Sequence, residues 1–432
     1  MIKKVQSYFS ELIPNGIIFL RTSAVAKNAT ALYVIQIAEY IIPMITIPVV
    51  VKAIGADGFG QAAFCQGLVA YLTMFVDYGF SMSATRSVSV YREDKAKIRK
   101  IFSSTIIAKF MLFIVGLATL LLLSLLSPKI HDNLIMMLVV YMGVLGNIIQ
   151  PIWLFQGMEK MSFLSIASIS AKVFMIVGIF LFVSGDNSVV IYLFILSLTQ
   201  ILYGLITFLK AKRQFAVSIE KVRVADIGSV LREGWVLFLS NASVSLYTAG
   251  NPFILGFFVS PAIVGYYSAA ERIAKAGLGL IGPISQAVYP RFAKLVNESR
   301  EQFYSLVKKV FYTIGGFGLI LSLLIYLFAP FAVKILLGPD FGYSVGLIRV
   351  LSPLPFIISL STVFGTQIML PLGKDKDFTK ILFVAGVINF GLVFLLAGRI
   401  GAYASAIALV AAEVYVSLTM FFFVKDKIRN VE

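Results

Sequence analysis

Hydrophobic and polar positions along this chain alternate over blocks of about twenty residues, the length a helix needs to cross a bilayer. Long apolar runs are broken by short clusters of turn formers: GADGFG at 55–60, SGDNS at 184–188, VSPAIVG at 259–265, LGPDFG at 337–342 and PLGKDKD at 371–377. Gly, Pro, Asn and Asp in these clusters supply the tight backbone turns that join antiparallel helices. The pattern predicts twelve spans, at about 27–51, 61–85, 101–126, 134–156, 162–183, 189–209, 234–259, 264–290, 310–332, 345–371, 381–397 and 402–424. The fold class expected is an all-α polytopic membrane protein.

Composition agrees. Of 432 residues, 59% are hydrophobic and only 13% charged, where soluble domains run about 45–50% and about 25%. The single cysteine (Cys65) and single histidine (His131) exclude an intramolecular disulfide, a Cys or His metal cluster and a His-dependent triad. The first 26 residues, with Lys3, Lys4, Glu11 and Arg21, contain no apolar core of signal-peptide length and read as a cytoplasmic lead-in.

The basic excess is +16, and its placement reports orientation, not nucleic-acid binding. Twenty-seven Lys and Arg fall on one alternate set of connections; only Lys52, Lys129, Lys334 and Arg399 fall on the other. The positive-inside rule then places both termini in the cytoplasm. Gly60 to Arg86 and Gly265 to Arg291 are each 26 residues apart, and both stretches lead through a helix to a basic loop. Six spans per half make this a parallel repeat with a cleft between the halves. The expected organisation is a lead-in (1–26), an N-terminal six-helix lobe (27–209), a cytoplasmic linker (210–233), a C-terminal six-helix lobe (234–424) and a cytoplasmic tail (425–432).

The stretch GYYSAAERIAKAGLGLIGP, Gly265–Pro283, carries Glu271, Arg272 and Lys275 within a span. Each such charge costs about 2.5–3.5 kcal/mol at the bilayer centre. From Gly265 they lie about 10–15 Å deep by helical rise. Glu271 and Lys275, four apart, can pair. Arg272 is either answered by an acid such as Asp77 or forms with Lys275 a wet cationic site for an anionic substrate. Glu39, Asp77, Glu271 and Glu413 are carboxylates that carry a coupling proton or sodium ion or balance a neighbouring base. Lys109, Lys172 and Arg349 read as structural or interfacial. Asn28, Gln36, Gln66, Asn241 and Asn251, on the first two helices of each half, suit sugar hydroxyls or interhelical hydrogen bonds. Gly277, Gly279 and Gly282 match the dinucleotide fingerprint only formally, because they lie within a span with no strand before them. No phosphate-binding GxxxxGK[ST] loop is present, so no cofactor is expected beyond a coupling ion.

The stretches KNATALYVIQIAEYIIPMITIPVVVKAIGADGFG (Lys27–Gly60), DYGFSMSATRSVS (Asp77–Ser89), QPIWLFQGMEKMS (Gln150–Ser162) and GYYSAAERIAKA with AVYPRF (Gly265–Phe292) resemble Wzx-type flippases of lipid-linked oligosaccharides. These belong to the polysaccharide-transport branch of the multidrug/oligosaccharidyl-lipid/polysaccharide exporter superfamily. The resemblance spans nearly the whole chain from residue 27. It implies two six-helix lobes around a V-shaped cavity and a cargo of oligosaccharide on undecaprenyl pyrophosphate, moved across the bacterial inner membrane for O-antigen or surface-polysaccharide assembly. It further implies that Lys27, Arg272 and Lys275 face the pyrophosphate and that Arg86 and Arg291 collect it at the cytoplasmic entrance. Membrane lipid, a polysaccharide polymerase and a chain-length regulator are the implied partners. A multidrug cation antiporter and a lipid II flippase of the same superfamily are the alternatives; a membrane enzyme is disfavoured because the longest outer connection, about 333–344, is only a dozen residues.

Overall fold

The computed structural model describes residues 24–184 and 188–429, and every regular element among them is helical. The lead-in before residue 24 lies outside the described residues, as do the side chains of Lys27, Asn28 and Gln36. The helices are α1 (Ala24–Asp77), α2 (Phe80–Val90), α3 (Lys95–Leu126), α4 (Pro128–Asp132), α5 (Leu134–Ile149), α6 (Ile152–Gly157), α7 (Ser162–Phe182), α8 (Ser188–Phe215), α9 (Val224–Thr248), α10 (Asn251–Gly256), α11 (Pro261–Ala276), α12 (Ile281–Glu298), α13 (Arg300–Val310), α14 (Gly316–Leu336), α15 (Gly342–Leu351), α16 (Leu354–Ser361), α17 (Asp375–Ile400) and α18 (Ala402–Arg429).

Among the described residues, nine helical stretches are long and apolar enough to cross a membrane. One of them, Ile41–Val90, is 50 residues long. It turns at Gly55, whose φ of 65° only glycine adopts without strain, and so holds parts of the two spans expected before residue 90. The expected spans 234–259 and 264–290 are helical but interrupted. α9 stops at Thr248 and resumes as α10, while α11 passes through a 3-10 turn at Gly277–Leu280 into α12. The expectation that Gly277, Gly279 and Gly282 lie inside one continuous helix is corrected accordingly.

The outer faces explain why these helices need lipid. Phe110, Ile114, Leu121 and Leu125 on α3, and Phe383, Val387, Phe390 and Phe394 on α17, are exposed at helical spacing. Continuous apolar stripes of this kind are stable against hydrocarbon and unstable against water. Inside, small residues let helices meet closely. A Cβ on Gly204 would strike Ile149, and one on Gly146 would strike the backbone of Ile201, so α5 and α8 pack backbone to backbone. The segment of α1 beyond Gly55 packs on α11 in the same way, and Gly60 and Gly265 are the residues that touch.

The connection between the halves is tied down. Buried Ser103 on α3 donates to the Ser218 carbonyl (3.1 Å) and accepts from the Glu220 amide (2.9 Å). Lys100 pairs with Asp226 at 2.8 Å and Arg99 with Glu220 at 3.6 Å.

Candidate functional site

A cavity of about 1030 Å³ opens within the bundle. First-half helices α1, α5, α7 and α8 form most of its wall; the second half adds Asn241, Val244 and Ser245 from α9 and Arg272 from α11.

Charge in this wall is arranged in pairs. Lys172 on α7 holds Glu39 on α1 at 2.6 Å. Asp77, at the end of α1, accepts from Lys109 of α3 at 2.9 Å and from the Asn147 amide at 3.2 Å. Lys109 is 4% exposed and also donates to the Asn147 side-chain oxygen at 3.2 Å. In each pair the buried partner is the lysine, and the cavity-facing carboxylate supplies the opposite charge that a cation away from water needs. The sequence-level expectation that Asp77 answers Arg272 is corrected: Lys109 lies nearer and takes the carboxylate.

Arg272 is different. Its guanidinium donates to the Gln66 side-chain oxygen at 2.8 Å and to the Tyr192 hydroxyl at 3.4 Å, and it lies over the Phe59 ring at 5.0 Å. These partners are neutral, so Arg272 gives the charge-balanced cavity a net positive wall. Gln66 and Asn241 line the same space.

Lys275 does not line the cavity. It pairs with Glu271 at 2.7 Å and donates to the Thr248 carbonyl at 2.9 Å, and its charge acts on buried Glu413 of α18. Glu271, Lys275 and Glu413 thus form a separate charge group inside the second half. Asn251 is fully buried and donates to the Tyr267 hydroxyl at 3.1 Å, away from the cavity. Arg86 and Arg291 are exposed and stand outside the cavity lining.

Lys172, read from sequence as structural or interfacial, lines the cavity through its pair with Glu39, and sequence reasoning passed over Tyr192, Gln150, Gln200 and Tyr203, which line it too. A signal was available. Tyr192, Thr199, Gln200 and Tyr203 repeat at helical spacing within an apolar span, and one polar stripe on such a helix marks its wet face.

Comparison with known proteins follows this geometry. Residues 25–296 match the family model described as polysaccharide biosynthesis protein. The chain is 35% identical to a proposed O-antigen transporter of Escherichia coli (strain K12), over 93% of this chain and 96% of that protein. It is 30% identical to a proposed O-antigen transporter of Shigella dysenteriae, over 92% and 100%. Among solved structures it is similar to the inward-facing conformation of a MATE family multidrug resistance transporter of the MOP superfamily: TM-score 0.77, 14% identity, 93% of this chain and 98% of the other. An outward-facing conformation of a MATE transporter gives 0.63 at 16% identity, over 95% and 97%. A MOP superfamily transporter from Pyrococcus furiosus, described as having a binding pocket of reverse polarity, gives 0.64 at 15%, over 94% and 95%.

Proposed function

Since the chain belongs to the polysaccharide biosynthesis protein family, among the Wzx-type flippases of the MOP superfamily, we propose that it carries an oligosaccharide on undecaprenyl pyrophosphate from the inner to the outer leaflet of the bacterial cytoplasmic membrane. The observation that carries this reading is Arg272, a cation with neutral partners in a cavity whose other charges cancel.

A diphosphate is the anion such a wall suits. Arg presents a planar fork of donors that replaces the hydration of phosphate oxygens. Gln66 and Tyr192 hold the fork in place before cargo arrives, which lowers the ordering cost of binding. The polyprenyl chain stays in lipid while the sugars occupy the cavity. Arg86 and Arg291, exposed beside the basic loops, attract the diphosphate to the cytoplasmic mouth. Lys27, on the same helix as the cavity residues Glu39 and Thr46, is a further candidate cation for the diphosphate.

Transport then proceeds by alternating access of the two lobes, 27–209 and 234–424, with both termini cytoplasmic. Greater similarity to the inward-facing than to the outward-facing transporter supports a cavity open to the cytoplasm here. The Glu271–Lys275–Glu413 group is the coupling element: protonation or sodium binding at one carboxylate changes the net charge of the second half and resets it. No covalent step is required. A cation exporter is disfavoured because its cargo is best met by an unpaired carboxylate, and among the described lining residues both carboxylates, Glu39 and Asp77, are paired. A lipid II flippase is disfavoured by the relatives named for O-antigen transport.

The test is complementation of a flippase-null strain. Arg272→Ala, at matched protein level, is expected to abolish surface polysaccharide and to accumulate lipid-linked intermediates, with Lys275→Ala milder. Normal surface polysaccharide in the Arg272→Ala strain overturns the proposal.

A further inference from the structure

The cavity is zoned by depth. The turns at 55–60, 127–133 and 259–265 share one end of the bundle with the start of α8. Gly58 sits against Val189 there, and Lys129 donates to the Gly256 and Val259 carbonyls. Depth can therefore be counted from this closed end. Arg272 follows Gly265 by seven residues and stands about 10 Å in, whereas Gln200, twelve past Ser188, stands about 18 Å in. Tyr203 and Gln150 lie deeper still, at about 22–24 Å. The cation thus occupies the closed end, and the amides occupy the stretch between it and the mouth.

Those amides are not explained by helix packing. A polar side chain that glues helices together finds its partner on a neighbouring helix. Gln200 is exposed to the cavity and makes no side-chain hydrogen bond to another described residue; the same holds for half-buried Asn241, which lines the cavity from α9. Two other amides of the wall are partnered and stand apart from this pair: Gln150 shares a hydrogen bond with the Tyr203 hydroxyl on α8, and Asn147 is consumed by the Asp77–Lys109 pair.

An uncharged amide offers two donors and two acceptor sites at once, as a sugar hydroxyl offers a donor and acceptors. The neighbouring ions are already neutralised by each other, so this zone does not select for charge. The cavity volume, about 1030 Å³, lies at the upper end for small-ligand pockets and suits an oligosaccharide more than a single ring.

We propose that cargo sugars are read by this amide zone, Gln200 on α8 and Asn241 on α9, separately from the diphosphate at Arg272. Sugar selectivity then resides on the amides of α8 and α9, and Arg272 on α11 contributes the anion grip. This inference rests on the flippase reading above.

The experiment uses the full chain in lipid nanodiscs and two probes. One is bare undecaprenyl pyrophosphate; the other is the lipid-linked oligosaccharide purified from the host after deletion of this gene. Wild type is expected to bind the glycosylated probe more tightly. Gln200→Leu and Asn241→Leu should each weaken that binding about three- to tenfold, the worth of one unmade hydrogen bond. Combined, they should bring it down to the level of the bare lipid, whose own affinity moves less than about twofold. Arg272→Gln should weaken both probes together. If the double variant loses both probes equally, or keeps the full preference for the glycosylated one, the zoning is overturned and the flippase reading stands. If wild type binds neither probe, the flippase reading falls and takes the zoning with it.

Discussion

Gly60 and Gly265 meet backbone to backbone where α1 crosses α11. A Cβ on Gly60 would run into the Pro261 carbonyl and come within 2.8 Å of the Gly265 nitrogen. One on Gly265 would run into the Ala56 carbonyl and come within 3.1 Å of the Gly60 nitrogen. The contact is reciprocal: each glycine touches the other and the residue four before it. These are the two glycines that lie 26 residues before Arg86 and Arg291, so the repeat in the sequence is a local two-fold contact in the structure. Lys129, reaching from α4 to the Gly256 and Val259 carbonyls, fastens the same end.

Adding one methyl there should therefore act on conformation more than on cargo. Gly60→Ala or Gly265→Ala forces the two backbones apart, and overpacking of this kind costs about 1–3 kcal/mol. If the crossing closes one state of a transport cycle, that state loses population. A cysteine pair placed across the crossing should cross-link less efficiently in the alanine variants, and labelling of cavity residues from the crossing side should rise. Unchanged cross-linking and labelling would show that the crossing yields without consequence.

The crossing also marks how far the sequence carried. The all-helical membrane fold, the Gly60 and Gly265 repeat and the presence of a cation within a span at Arg272 were legible because lipid imposes a coarse code of length and apolarity, and because a charge within a span is conspicuous. Pairing was not legible. Asp77 lies 32 residues from Lys109, and Glu39 lies 133 from Lys172; no local spacing announces either. The repeat suggested a cleft between two like halves, but its sequence does not say whether both halves line it equally. They do not: Gly67 occupies in the first repeat the register that Arg272 occupies in the second, so the cation has no counterpart. Identical backbone plans can carry different side chains, and only assembled helices reveal which face is wet.

The strap between the halves predicts an acid-sensitive joint. The hydrogen bond from Lys100, and after it those from Arg223, hold the Asp226 carboxyl below the usual carboxylate range. Because the folded value lies below the unfolded one, the ionised carboxylate stabilises the strap fully above the unfolded pKa, about 3.9. That contribution disappears as pH falls through the folded value. Asp226→Asn should thus raise amide exchange over residues 216–226 at neutral pH, and the gap from wild type should close only below about pH 4. A gap that persists unchanged into strong acid would mean that the carboxylate charge plays no part in holding the strap.

The Asp77–Lys109 pair predicts an asymmetry between its two single truncations. Removing Asp77 strands an ammonium whose side chain is 4% exposed, whereas removing Lys109 strands a carboxylate whose side chain is 40% exposed to the cavity. A buried charge left without its partner costs about 3–5 kcal/mol, while a wetted one recovers much of its hydration. Asp77→Ala should therefore lower the thermal midpoint more than Lys109→Met, although both break the same 2.9 Å contact. Asp77→Leu/Lys109→Met, which removes both charges and fills the space, should be milder than Asp77→Ala alone, because no ion is then stranded. Equal losses in the two single variants, measured in the same detergent, would show that Lys109 finds water or another partner in the wall. A double variant worse than either single one would assign the pair a packing role instead of an electrostatic one.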